Sequence, residues 1–188
     1  MTHDPCPDDA LRAFYDRRSA EVSSRWNRSV PFGDLVVDRW ERARTLGFGT
    51  GASIYDSSLV LGDVTVGEHT WIGPFTVLDG SGNLSIGAYC SISAGVQIYS
   101  HDTVLWAVSG GTASAQRAPT RIGSRCYIGP NVVVAKGVTI GDGCIIGAGS
   151  LVLHDIPADS TAFGVPCRVI AAVDVEALTN RLEQSGHA

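Results

Sequence analysis

The sequence predicts an all-β solenoid, a parallel β-helix of hexapeptide repeats with helical flanks. Three observations carry that prediction. An aliphatic side chain returns every six residues: at Ile54, Val60, Val66 and Ile72, at Ile86, Ile92 and Ile98, and from Ile122 through Ile128, Val134, Ile140 and Ile146 to Val152. A glycine often follows it, as at Gly67, Gly73, Gly87, Gly123, Gly129, Gly141 and Gly147. Four places after the aliphatic residue stands a small or branched one, such as Ser58, Thr70, Cys90, Val96, Cys126, Val132, Cys144 and Ser150. A period of six belongs neither to a helix, at about 3.6, nor to a lone strand, at about 2. It suits short strands that meet at corners and stack coil on coil. The aliphatic side chain fills the interior, and the glycine lets the backbone turn where a Cβ would be crowded.

The elements follow in order. Residues 1–49 form a helical N-terminal cap. A helix is predicted over residues 9–26, capped by Asp8 or Asp9, with Leu11, Phe14, Tyr15 and Val22 as its apolar stripe. A second is predicted over residues 34–46, with Asp34 as cap, Leu35, Val36, Trp40, Ala43 and Leu46 as stripe, and Gly47 as stop. Both are expected to cover the open first coil, as solenoid ends require. Residues 50–166 form the β-helix. Residues 167–188 form a tail with a short helix from Val173 to Leu182.

The beat breaks twice. Around Asp79-Gly80-Ser81-Gly82-Asn83 two extra residues make a small bulge. Between Ile98 and Ile122 the segment from His101 to Pro119 leaves the hexad and reads as an extruded loop. Loops on a rigid scaffold are where sites are usually built.

Composition narrows the function. A net charge of −5 argues against a general nucleic-acid binder. No apolar run approaches a membrane span. The N-terminus lacks a basic region followed by an apolar one, which leads to the expectation of a cytoplasmic protein. Lys136 is the only lysine, so any anionic ligand must be held by local features. None of the five cysteines makes a CxxC pair. Three hexads make a coil, so Cys126 and Cys144, 18 apart, should stack. Cys90 and Cys126 are 36 apart, which matches one coil plus the residues of the loop. The three are predicted to form an inward column of buried thiols.

His101 is the leading catalytic candidate. It opens the large loop directly after a regular coil, so its base is fixed while its ring can project. An imidazole titrates near neutrality and can take a proton at physiological pH. Adjacent side chains rarely meet, so Asp102 is not assigned as its orienting group. His3 and His187 lie in the terminal stretches, and His69, beside the inward Thr70, is predicted to face solvent. Trp106 could pack over an acyl-CoA arm or a sugar face, or anchor the loop. Asp79 is a carboxylate in the bulge, where a turn-stabilising role is the simplest reading.

On these stretches the sequence resembles the hexapeptide-repeat acyltransferases, in the branch of maltose, galactoside, xenobiotic and surface-polysaccharide acetyltransferases. The resemblance covers about residues 30–170. It rests on Ile72-Gly73-Pro74 through Leu78-Asp79, Gly95 through His101, Tyr127-Ile128-Gly129-Pro130, Ile146 through Ser150 with Asp155-Ile156-Pro157, and Gly164 through Ile170. It implies a left-handed parallel β-helix and a homotrimer with active sites between subunits. It implies acetyl-CoA as donor and a sugar hydroxyl or amine as acceptor, with no metal. His101 matches the general base. Asp79 matches an acceptor-binding position, and Trp106 is placed with it. Pro130, Lys136, Ala148, His154 and Arg168 are the candidates for binding coenzyme A. The Thr-Lys pair common in relatives before Asp-Ile-Pro is Leu153-His154 here, and a second basic residue common after Arg168 is Ala171.

Transfer to a sugar hydroxyl is the first reading and N-acetylation of an amino sugar the alternative. Two rivals come from other classes. One is a non-catalytic scaffold. The other is a metal enzyme like the γ-class carbonic anhydrases, built on His69, His101 and His154, although this chain lacks their close histidine pair.

Overall fold

The computed structural model describes residues 7–184; His3, Cys6 and His187 lie outside them. Three helices form the N-terminal flank: α1 (Pro7–Trp26), α2 (Phe32–Val36) and α3 (Arg39–Thr45). The single helix expected over residues 34–46 is therefore two. Val37 and Asp38 are extended, and the Asp38 carboxylate accepts hydrogen bonds from the backbone N–H groups of Trp40 and Glu41, starting a new helix. Asp34 is not a cap; its carboxylate accepts from the Asp56 N–H and ties α2 to the first coil. Only part of the expected stripe is covered: Leu35 and Ala43 are buried, whereas Val36 and Trp40 are about half exposed. The cap is also layered. α3 packs on the first strand, while α1 packs on α2, with Phe14 edge-on to Phe32 at 6.2 Å between centroids.

The solenoid has three faces. On the first, the strands Ser53–Ile54, Trp71–Ile72, Ser91–Ile92, Tyr127–Ile128, Ile145–Ile146 and Ser160–Phe163 run parallel in that order. The second stacks the first halves of Leu59–Val66 and Val77–Ile86 with Gln97–Ile98, Val133–Val134 and Leu151–Val152. The third stacks their second halves with Thr120–Ile122 and Thr139–Ile140, then a bridge to Ile156. The predicted beat fills the interior. Ile54, Ile72, Ile92, Ile98, Ile128, Ile146 and Val152 have no exposed surface. Ser91 pairs directly with Tyr127, 36 residues on, so one coil's worth of residues between Ile98 and Thr120 does sit outside the coil count. Cys90, Cys126 and Cys144 are buried, each thiol donating to a carbonyl of the next coil, Gly123, Gly141 and Pro157 respectively, at 3.1 Å.

The glycine after each aliphatic residue has a measurable reason. A Cβ on Gly67 would fall 2.5 Å from the Ala88 nitrogen and 2.6 Å from the Gly87 carbonyl carbon, both backbone of the next coil. The coils are thus closer at this edge than a side chain allows. Gly67→Ala is expected to cost about 1–3 kcal/mol of stability, the usual range for overpacking. Urea unfolding would measure it, and an unchanged midpoint would mean that the coils can slide apart.

The other end is closed by a returning strand. Arg168–Ala172 folds back antiparallel on Ser160–Phe163, so a strand rather than the helix completes the last coil. The helix follows as α5 (Val175–Gln184), with the Asp174 carboxylate accepting from the Ala177 N–H. The segment that leaves the hexad is ordered into a hairpin. His101–Asp102 and Gln116–Arg117 pair antiparallel, and a one-turn helix, Val104–Val108, lies between them. In chain order this last helix is α4.

Candidate active site

His101 stands at the root of the hairpin, where the chain leaves the second face. The residue that fixes it is Asp79, one coil below. Leu78 pairs with Ile98, so Asp79 lies beside Tyr99 in register, and its carboxylate reaches the backbone N–H groups of Ser100 and His101. Asp79 has no exposed surface. Its Oδ2 lies 2.5 Å from His101 Nδ1 and accepts from the backbone N–H groups of Ser100 at 3.0 Å and His101 at 3.2 Å. Its Oδ1 accepts from the Ser81 N–H at 3.0 Å. Burial alone would push the carboxyl pKa up. The hydrogen bonds from Ser81, Ser100 and His101 outweigh it and hold the group well below the usual carboxylate range.

The arrangement determines the tautomer. An ionised carboxylate accepts only, so Nδ1 carries the proton and Nε2 keeps its lone pair. Among the described residues no hydrogen bond reaches Nε2, and about a third of the imidazole surface is open. A buried, ionised carboxylate behind a partly exposed histidine orients the ring and stabilises the imidazolium once it forms. Asp79, expected to bind an acceptor, faces His101 and has no exposed surface in the single chain. The omission of Asp102 as orienting group is consistent with its contacts, because Asp102 pairs with Lys136 at 3.0 Å. That ion pair lowers the Asp102 pKa and fastens the hairpin root to the next coil.

The remaining candidates separate onto different edges of the prism. Lys136 and His154 occupy the same edge as His101, one and two coils above Ser100 in register. Lys136 is engaged by Asp102 and is not a free charge, while His154 is exposed. Pro130 and Ala148 are exposed on the edge between the first and second faces, where the Gly149 N–H donates to the Pro130 carbonyl at 2.8 Å. Arg168 opens the returning strand and donates to the Cys167 carbonyl. Trp106 lies in α4, half exposed, with its indole over Gly111. His69 stacks on Tyr89 at 5.0 Å on the third edge, where the chain passes from third face to first. The three histidines weighed as a metal set are thus not gathered, and among the described residues no cluster of three potential ligands occurs. No described helix is long and apolar enough to cross a membrane.

Two features were not read from the sequence. The His101–Asp79 contact could have been found by counting: one coil plus the two extra bulge residues places Asp79 beside position 99. The Asp102–Lys136 pair had no such signal, because the hairpin has no repeat phase.

Comparison with known proteins agrees with this architecture. Residues 119–154 match the family described as bacterial transferase hexapeptide (six repeats). The galactoside O-acetyltransferase of Escherichia coli (strain K12) is 34% identical over 130 residues, covering 58% of this chain and 64% of that protein. A putative colanic acid biosynthesis acetyltransferase of the same strain is 38% identical over 109 residues, 57% of each chain. The chain thus spans about three fifths of the length of these curated relatives. Among solved structures, a maltose O-acetyltransferase from Clostridium difficile 630 superposes with a TM-score of 0.62 at 26% identity, over 89% of this chain and 90% of that one. The repeat at residues 119–154 is thus the one described for bacterial transferase hexapeptide proteins, and the chain is similar to these acetyltransferases in sequence and in fold.

Proposed function

We propose that the protein transfers an acetyl group from acetyl-CoA to a hydroxyl of a sugar, with His101 as general base. The observation that carries this reading is the His101–Asp79 pair: a partly open imidazole, its Nε2 free, backed by a buried carboxylate. The names of the relatives, acting on galactoside and maltose, support the sugar.

In the proposed reaction Nε2 takes the proton of the acceptor hydroxyl as its oxygen attacks the thioester carbonyl. Asp79 stabilises the imidazolium across the Nδ1 hydrogen bond. The tetrahedral intermediate collapses, the C–S bond breaks, and the proton held on His101 passes to the departing thiolate. The products are the acetyl ester and free coenzyme A. A hydroxyl needs a base to attack, which favours O-transfer; a neutral amine would depend less on this pair.

Pro130 and Ala148 would line the pantetheine arm, and Arg168 and His154 the phosphate end. In one chain Pro130 and Ala148 lie on a different edge from His101. A homotrimer would bring the two edges of neighbouring subunits together, and we propose that assembly. Trp106, at the exposed hairpin, would then cover the acceptor. The setting is taken to be cytoplasmic, where acetyl-CoA is met.

The test is thiol release from acetyl-CoA across sugars, amino sugars and their nucleotide-linked forms. Release is expected with a hydroxyl-bearing acceptor and not without one. Release only with amino sugars would move the reading to N-acetylation. No release and no coenzyme A binding would replace it with the scaffold reading.

A further inference from the structure

The base has a cationic neighbour that neither the repeat nor the proposed chemistry requires. The hairpin places Arg117 directly opposite His101. Directly opposed residues of an antiparallel pair project from the same face, with Cβ atoms about 4.5–5.5 Å apart. The contacts agree on which face this is. His101 bonds Asp79, and the Arg117 Cβ lies 3.1 Å from where a Cβ on Gly82 would stand, in the same bulge. Gly82 thus leaves room for Arg117. The root of the arginine is fixed as well, because the Ala118 N–H donates to the Ser100 carbonyl at 2.9 Å.

The two cations at this edge are in different states. Lys136 is neutralised by Asp102. Arg117 is exposed and has no carboxylate partner among the described residues. It is a charge held at a fixed root beside the base, on a chain whose net charge is −5. A negative field overall does not draw in an anion, so an anionic ligand here must be recognised locally. A guanidinium offers paired donors that match a carboxylate or phosphate.

Resting on the transferase reading, we infer that Arg117 holds an anionic group of the acceptor, a carboxylate or a phosphate, next to the hydroxyl that His101 deprotonates. The acceptor class is therefore an acidic sugar, not a neutral one. Binding the anion beside the imidazole orients the hydroxyl on Nε2.

The experiment compares a neutral hexose, the matching hexuronic acid and the hexose 1-phosphate as acceptors, in wild type, Arg117→Gln and Arg117→Lys. In wild type one of the charged acceptors is expected to have the lowest KM, and which one separates carboxylate from phosphate. Arg117→Gln should raise that KM about tenfold or more, the usual worth of a hydrogen bond to a charged group. The KM values for neutral hexose and acetyl-CoA should stay unchanged, and Arg117→Lys should restore part of the loss. Added salt should raise the charged acceptor's KM in wild type and leave it flat in Arg117→Gln.

A rise in the KM for acetyl-CoA alone would overturn the inference and assign Arg117 to the coenzyme phosphates. Equal KM values for neutral and charged acceptors would overturn it while leaving sugar transfer intact. Ligand-observed NMR of the hexuronic acid and the hexose 1-phosphate, without acetyl-CoA, tests the inference apart from catalysis. Binding that is lost in Arg117→Gln supports it even if no thiol release is ever seen. Binding of neither acid, or binding indifferent to Arg117, overturns it.

Discussion

His101→Ala is expected to lower turnover about 10²–10⁴-fold, the usual contribution of a positioned general base. Coenzyme A binding and the unfolding midpoint should change little by comparison, because the imidazole is partly exposed and, among the described residues, its side-chain hydrogen bond is to Asp79. The loss should appear in kcat and in kcat/KM alike, as it does when an interaction belongs to the transition state. Wild-type turnover in His101→Ala would remove this residue from the reaction and return the solenoid to a binding role.

The second large effect is expected at Asp79. Asp79→Asn keeps the shape and removes the charge. An amide can present either its oxygen or its NH₂ to Nδ1, so the tautomer is no longer enforced and the imidazolium is no longer stabilised. Turnover should fall about 10²–10³-fold, toward the lower part of the range a base contributes. In the double variant the losses should not add, because the two residues act as one unit. Additive losses would show instead that Asp79 acts independently of His101.

Asp79 also makes a pH prediction with a definite sign. Its folded pKa lies below that of an unfolded aspartate, about 3.9. Between the two values the unfolded chain binds the extra proton, so stability rises with pH there. The contribution is complete above the unfolded value and is lost as pH falls through the folded one. Urea midpoints of wild type and Asp79→Asn should therefore converge as the solution is acidified below about pH 4. A gap that stays constant with pH would mean that the carboxylate charge adds nothing to the fold. Ser81, Ser100 and His101 donate backbone N–H groups to this carboxylate, so Asp79→Ala should be the more destabilising variant. Buried donors left without an acceptor cost about 1–3 kcal/mol each.

The solenoid was legible in the sequence because its rule is local and repeated. Each hexad states that Ile128 or Ile146 points inward and that Gly129 or Gly147 turns the corner, and stacking only copies that statement upward. Cys126 and Cys144 were placed by counting eighteen residues for the same reason. The helical flank was legible only in outline, since caps compete: Asp34 and Asp38 are equally good capping residues, and the bond from Asp56 to Asp34 decided between them.

By itself, then, the sequence determined the coil, the position of the two breaks and His101 as the residue at the larger one. Tertiary structure decided what surrounds that histidine. Asp79 keeps its phase with Leu61 in the coil below, but the two extra residues that follow Gly80 offset the coil above, which sets Ser100 and His101 against its carboxylate. Arg117 stands opposite His101 because a hairpin of seventeen residues closes on itself, and its root brings Asp102 to Lys136 on the next coil. A repeat carries phase information only while it repeats. Where the chain leaves the coil, which charges face one another is set by hydrogen-bond register and close packing between segments distant in sequence.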